Sequence, residues 1–148
     1  MVQTTVHIRS VHNANFSVGW AGKHSLTIDR PEHEAGSGFG FSGADLLMMA
    51  IGACYANDIQ REAERRGIAL HGMRVVCECD WGGEPPRAQD IRLSVRIEAA
   101  ADEDEILELA ESIDQQSRVH NTLRFGAEIP AAECEIVPIE IEIEKENP

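Results

Sequence analysis

Residues 46–56, LLMMAIGACYA, are apolar on every side of any helix they form. A helix of that kind has to be covered all round. The flanks say that it is a helix. Ser42 and Asp45 have the S-x-x-D spacing of a capping box, in which each side chain satisfies a free backbone N–H of the first turn. The helix is predicted to run from Ser42 to Arg66, with Gly67 at the position that favours a left-handed backbone. From Asn57 onward it turns amphipathic, and Glu62 and Arg66 sit at the supportive i, i+4 spacing. A sheet covers one side of such a helix. In a chain of 148 residues the other side calls for a further cover, most simply a second subunit.

The remaining pattern is mostly strand. TTVHIRSV, NFSVGW and KHSLTID read as three short strands, followed by a loop rich in glycine over residues 30–41. MRVVCECDW alternates, with Val75, Cys77, Cys79 and Trp81 on one face. GGEPPR is a turn, and IRLSVRIEA places Ile91, Leu93, Val95 and Ile97 on an inner face. Asp102 and Glu105 repeat the capping-box spacing ahead of a second helix that ends near Gln116. ECEIV reads as a last strand, and the acidic residues 138–148 as an edge strand or tail. Strands, helix, strands, helix, strand give an α+β chain with helices on mainly antiparallel sheets, and its length gives a single domain over residues 1–148.

Thirteen basic against 26 acidic side chains leave a net charge of −13, which repels nucleic acid and anionic lipid. The first residues lack a signal-like apolar core, and the longest apolar run is far short of the ~20 residues of a membrane span. A cytoplasmic protein with reduced thiols is the expectation for Cys54, Cys77, Cys79 and Cys134.

Two chemistries compete in residues 38–57. Gly38, Gly40 and Gly43 spell G-x-G-x-x-G ahead of a helix. A dinucleotide fingerprint also needs a strand directly before it and an acid at the end of the next strand; here a loop precedes, and Glu62 and Glu64 lie on the same helix. A flexible loop entering a buried helix is the better reading. Cys54 is either a small core residue or a reactive thiol. Gly52 beside it costs about 1 kcal/mol in a helix interior, which implies that another backbone or a substrate comes close. Asp58, one turn on, opposes thiolate formation if it faces the sulfur, so an activating cation has to come from elsewhere. Cys77 and Cys79, about 6.6 Å apart along one strand, read as packing, as does Cys134. His71 has no second ligand pair at zinc spacing, so no metal is expected. SRVHNTLRFG holds Ser117 and His120 without a nucleophile elbow and reads as turn chemistry at a helix end.

Taken together, ADLLMMAIGACYANDI, SRVHNTLRFG some sixty residues later, GKHSLTID and the helix ending at ERRGI resemble the OsmC/Ohr family of osmotically inducible and organic-hydroperoxide-resistance proteins. The resemblance spans about residues 5–137. It implies an α+β fold of mainly antiparallel sheets with two central helices per subunit, in an intertwined homodimer with its active sites at the subunit interface. It also implies thiol-dependent reduction of organic hydroperoxides in an oxidative stress response, an activity like that of peroxiredoxins, with no cofactor. Cys54 matches the peroxide-attacking cysteine. The second-cysteine position is Ser117, and Arg118 replaces the usual proline, so a resolving disulfide is lost and an external thiol has to resolve the sulfenic acid. Ser117, His120 and Asn121 would line the pocket. The supporting acid would be Asp45, nine positions before Cys54 and so on the opposite side of a regular helix at about 100° per residue. Arg30 and Arg9 are candidates for the supporting cation by region alone. The alternative is a divergent member without turnover that binds a small hydrophobic or electrophilic ligand at the dimer interface.

Overall fold

The structure, a computed structural model, describes residues 3–138, so all but the first residue of the acidic C-terminal segment lies outside the described residues. In chain order the elements are β1 (His7–Ser10), β2 (Ser17–Ala21), β3 (His24–Ile28), a single 3-10 turn (Glu32–Glu34), α1 (Gly43–Arg66), β4 (Ala69–Gly82), β5 (Arg87–Ala100), α2 (Glu103–Asp114) and α3 (Arg118–Phe125). Strands β1, β2 and β3 form one antiparallel sheet in that order, and β4 and β5 form a long hairpin. This is an α+β fold with antiparallel sheets, as the pattern predicts.

Helix α1 keeps its predicted ends. Ser42 Oγ accepts from Asp45 N at 3.1 Å, and Asp45 Oδ2 accepts from Ser42 N at 2.8 Å. Gly67 stops the helix with φ +73°, where a Cβ would be strained. The Asp102–Glu105 box starts α2 in the same way. Near the C-terminal end of α1, Glu62 is buried and accepts from Arg65 and Arg66 at 2.6–2.8 Å, which holds its carboxyl down to about 2.

The core does not sit where the apolar run leads one to look. It starts at Tyr55, near the end of that run, and continues along the amphipathic part of α1 through Ile59 and Ala63, with Leu109 and Ile113 of α2 and a floor of Met73, Leu93, Val95 and Ile97 from the hairpin. Each fully buried side chain here contributes about 1.5–3 kcal/mol. The first turns of α1 are covered on one side only. Ile51 is buried, whereas Met49 is 43% exposed. The three-stranded sheet packs little against the rest of the chain and leaves Val6, Ile8, Trp20 and Leu26 open to solvent. An apolar trough of about 250 Å³ runs over this sheet beside Leu46.

Two expectations need correction. Residues 117–126 are not a turn but the helix α3, which Gly126 ends with φ +71°. Eight residues span only about two helical turns, which gives little periodic signal in sequence. No strand forms at 133–137, which is exposed, because among the described residues no neighbouring strand offers it a ladder of hydrogen bonds. Ile91 keeps the Leu93 face and lines the same cleft, at a rim where it is 43% exposed, and the register shift falls just before it at Asp90, whose φ is +47°.

Candidate functional site

Cys54 and Asp58 lie one turn apart on α1 and so face the same way. The junction between α2 and α3 brings Ser117 onto that face. Ser117 occupies the N-cap position of α3, where serine ordinarily accepts from a backbone N–H of the first turn. Its hydroxyl makes no such bond and instead donates to Cys54 Sγ at 3.3 Å. Sγ in turn donates to Asp58 Oδ2 at 3.7 Å, and Arg61 Nη2 donates to Asp58 Oδ1 at 2.6 Å. The result is a chain of four side chains, Ser117–Cys54–Asp58–Arg61. Ser117 is 0% exposed and Asp58 5%, while the Arg61 end reaches solvent.

His120 stacks on Tyr55 with ring centroids 5.4 Å apart. Tyr55 is fixed by its hydroxyl, which donates to the Ala110 carbonyl at 3.1 Å. His120 Nε2 is buried and finds no hydrogen-bond partner among the described residues. Burial, and then Arg124, push the imidazole below its ordinary value, so it is neutral at pH 7. A cleft of about 330 Å³ opens beside it, walled by Ile51, Leu93 and Leu123, with the Asp114–Arg124 ion pair at its rim. Ile51 lies one turn before Cys54 and His120 one turn after Ser117, so this cleft adjoins the sulfur's surroundings.

Of the residues singled out in sequence, Cys54 and Ser117 come together and His120 lies beside them. The Asn121 side chain donates to the Gln115 carbonyl and ties α3 to the end of α2. Asp45 is taken up by its capping box, as its spacing suggests. Arg30 lies in the loop before α1, donating to the Ala35 carbonyl, and Arg9 lies on β1 opposite Val18. Neither is bonded to Cys54. Sequence reasoning had no role for Arg61, although its i, i+3 spacing from Asp58 is the available signal.

The glycine loop also has an internal explanation. Asp29 accepts the backbone N–H groups of Arg30, Ser37 and Phe39 at 2.8–3.1 Å, and Phe41 N donates to the Thr27 carbonyl. A Cβ on Gly40 would stand 2.5 Å from that carbonyl oxygen. The loop's donors serve β3 and Asp29, and the nucleotide reading loses its cradle. Gly52 is explained by packing, since a Cβ there would meet Cys77 Sγ at 3.1 Å. Burial pushes the Cys77 thiol up and makes it a poorer nucleophile. No cluster of three or more metal-ligating side chains occurs among the described residues. Among these residues, too, no helix is long and apolar enough to cross a membrane.

Comparison with known proteins agrees with the sequence resemblance. The family model described as OsmC-like protein matches residues 35–131. No curated protein sequence matches the chain. Among solved structures, the OsmC-like protein from Mycoplasma pneumoniae superposes with a TM-score of 0.69 at 20% identity, covering 83% of this chain and 88% of that one. An organic hydroperoxide resistance protein OsmC from Legionella pneumophila has a TM-score of 0.59 at 18% identity, with coverages of 84% and 90%. The organic hydroperoxide resistance protein OhrB of Bacillus subtilis has a TM-score of 0.60 at 14% identity, with coverages of 83% and 91%. At these identities the likeness concerns the fold.

Proposed function

The chain belongs to the OsmC-like protein family, and from that premise we propose that it reduces organic hydroperoxides through Cys54 as its only redox cysteine. The observation that carries this reading is the Ser117 hydroxyl directed at Cys54 Sγ at 3.3 Å. A hydroxyl donor on the sulfur favours the thiolate and afterwards holds a sulfenate. Structural neighbours named organic hydroperoxide resistance proteins support the same class of substrate. Sulfur attacks the terminal peroxide oxygen, the O–O bond breaks, and the alkoxide leaves and takes up the thiol's proton as the alcohol. The sulfenic acid at Cys54 then condenses with an external thiol to a mixed disulfide, releasing water, and a second thiol attacks the external sulfur of that bond, which frees the Cys54 thiol and leaves a disulfide between the two external thiols. Serine cannot supply the second sulfur, so the cycle depends on that external reductant. A cytoplasmic setting, rich in small thiols, suits it.

One observation favours the second reading, a member that binds a small hydrophobic or electrophilic ligand without turnover. The charged group nearest the sulfur is the Asp58 carboxylate, and no guanidinium bonds to Sγ among the described residues. The decisive experiment treats the protein separately with cumene hydroperoxide, t-butyl hydroperoxide and hydrogen peroxide, with dithiothreitol as reductant. Turnover of the organic peroxides and oxidation localised to Cys54 by peptide mass spectrometry are expected, with both abolished in Cys54→Ser. Activity that survives in Cys54→Ser overturns the peroxidase, and intact binding of an alkyl ligand without any oxidation favours the binder.

The partner in this proposal is a second copy of the chain. The half-covered start of α1 and the open apolar face of the three-stranded sheet together need a cover that the described residues do not supply. Light scattering on the purified protein is expected to give twice the 16.3 kDa chain mass. A monomer at micromolar concentration would sink this part of the proposal.

A further inference from the structure

We propose that Asp58 is a brake on Cys54, holding the sulfur as a thiol, and that Arg61 sets how firmly it holds. The inference rests on Cys54 being the reactive group of the proposed function. The charged and titratable groups at the sulfur and around the cleft that adjoins it come from all three helices. Asp58 and Arg61 lie on α1, Asp114 closes α2, and His120 and Arg124 lie on α3. Hairpin strand β5 presents Ile91 and Leu93 to the cleft, and β4 presents Val75 and the Cys77 thiol to Gly52. His120 is neutral at pH 7, and Arg124 is already paired with Asp114. Asp58 is therefore the charged group that touches Sγ, and it touches as an acceptor of the sulfur's proton.

Two roles are open to a carboxylate in that place, and their sizes decide between them. As a general base it would have to take the proton itself. A carboxylate ordinarily binds a proton more weakly than a thiolate by about 4–5 pH units, so the transferred form is populated at roughly one part in 10⁴–10⁵. An ordinary thiol at pH 7 loses its proton to water at roughly one part in 30. The direct route is larger by more than a hundredfold, and it is the route that an adjacent anion suppresses. Asp58 thus slows Cys54 more than it helps. Arg61, on the far oxygen of the same carboxylate, draws its charge away from the sulfur and weakens the suppression.

The test uses iodoacetamide on the folded, full-length protein, with Cys54 labelling followed by peptide mass spectrometry. In this reaction the S–C bond forms, iodide leaves and the thiol's proton passes to solvent. Asp58→Asn is expected to raise the Cys54 labelling rate at pH 7 about tenfold and to move the rate–pH profile to lower pH, while Arg61→Gln lowers the rate severalfold. Because either change leaves one member of the Asp58–Arg61 pair without its partner, the double variant Asp58→Asn/Arg61→Leu removes both charges together and should also label faster than wild type. Labelling that is unchanged or slower in folded Asp58→Asn and in the double variant overturns the brake. Peroxide turnover is read separately. Faster labelling without turnover in any variant refutes the peroxidase and leaves the brake standing, whereas normal turnover with unchanged labelling refutes the brake alone.

Discussion

Ser117→Cys is expected to close a disulfide with Cys54 and to turn a one-cysteine site into a two-cysteine one. The hydroxyl oxygen already lies 3.3 Å from Sγ, at the end of a short helix that can move by a fraction of an ångström. A disulfide needs about 2.05 Å between the sulfurs, and the loop between α2 and α3 supplies the adjustment. Either diamide or an organic hydroperoxide should drive it. With the hydroperoxide, two thiols lose two hydrogens, and the peroxide leaves as one alcohol and one water. Intact-mass measurement under non-reducing conditions should find nearly all of the variant two hydrogens lighter and closed to alkylation at both positions. Wild type treated in the same way should show no such crosslink. Turnover in the variant should also shift toward dithiol reductants such as dihydrolipoate. Two thiols that remain alkylatable after diamide would show that Cys54 and residue 117 do not meet in solution as they do here.

Ile59→Ala should produce the largest loss of stability among single changes in the core. Ile59 is 0% exposed and lies where α1, α2 and the hairpin meet. Truncation removes three methyl or methylene carbons and leaves a void walled by three elements that cannot all close on it. Losses for such changes run about 2–5 kcal/mol, and this site belongs in the upper half. Urea unfolding at one fixed protein concentration should show a midpoint shift of that size with the slope unchanged. Leu107→Ala on the exposed side of α2 serves as the control and should cost under about 0.5 kcal/mol. A loss below about 1 kcal/mol at Ile59 would mean that the core is looser than its burial indicates.

Much of this architecture was legible because its signals are local. Ser42 and Asp45 mark the start of α1 by side-chain capping and Gly67 marks its end by a left-handed backbone, both acting within four residues. The alternation in β4 and β5 follows from a face that must be buried. What escaped was set by tertiary partners. Nothing in the local pattern at 133–137 reports whether a second strand is available to it. The bulge at Asp90 rests on one unusual backbone angle that alternation alone does not encode. At the site, the meeting of Cys54 with Ser117 entered as an inference from family likeness, since 63 positions separate them. Asp58 was visible as a neighbour one turn away. Its direction toward the sulfur, and the attachment of Arg61 to its far oxygen, depend on rotamers that no sequence pattern specifies.

The loop before α1 behaves as a receptor that carries its own ligand. Its inward-pointing amides make the concave arrangement that elsewhere recruits an anion from solution, and the Asp29 carboxylate fills it. Because Asp29 is tethered by the chain, its effective concentration at those amides exceeds that of any free competitor. Occupancy is therefore built in, and the loop is ordered before any substrate arrives. What would have been an inducible element is a constitutive one, and the start of α1 inherits a fixed position from it.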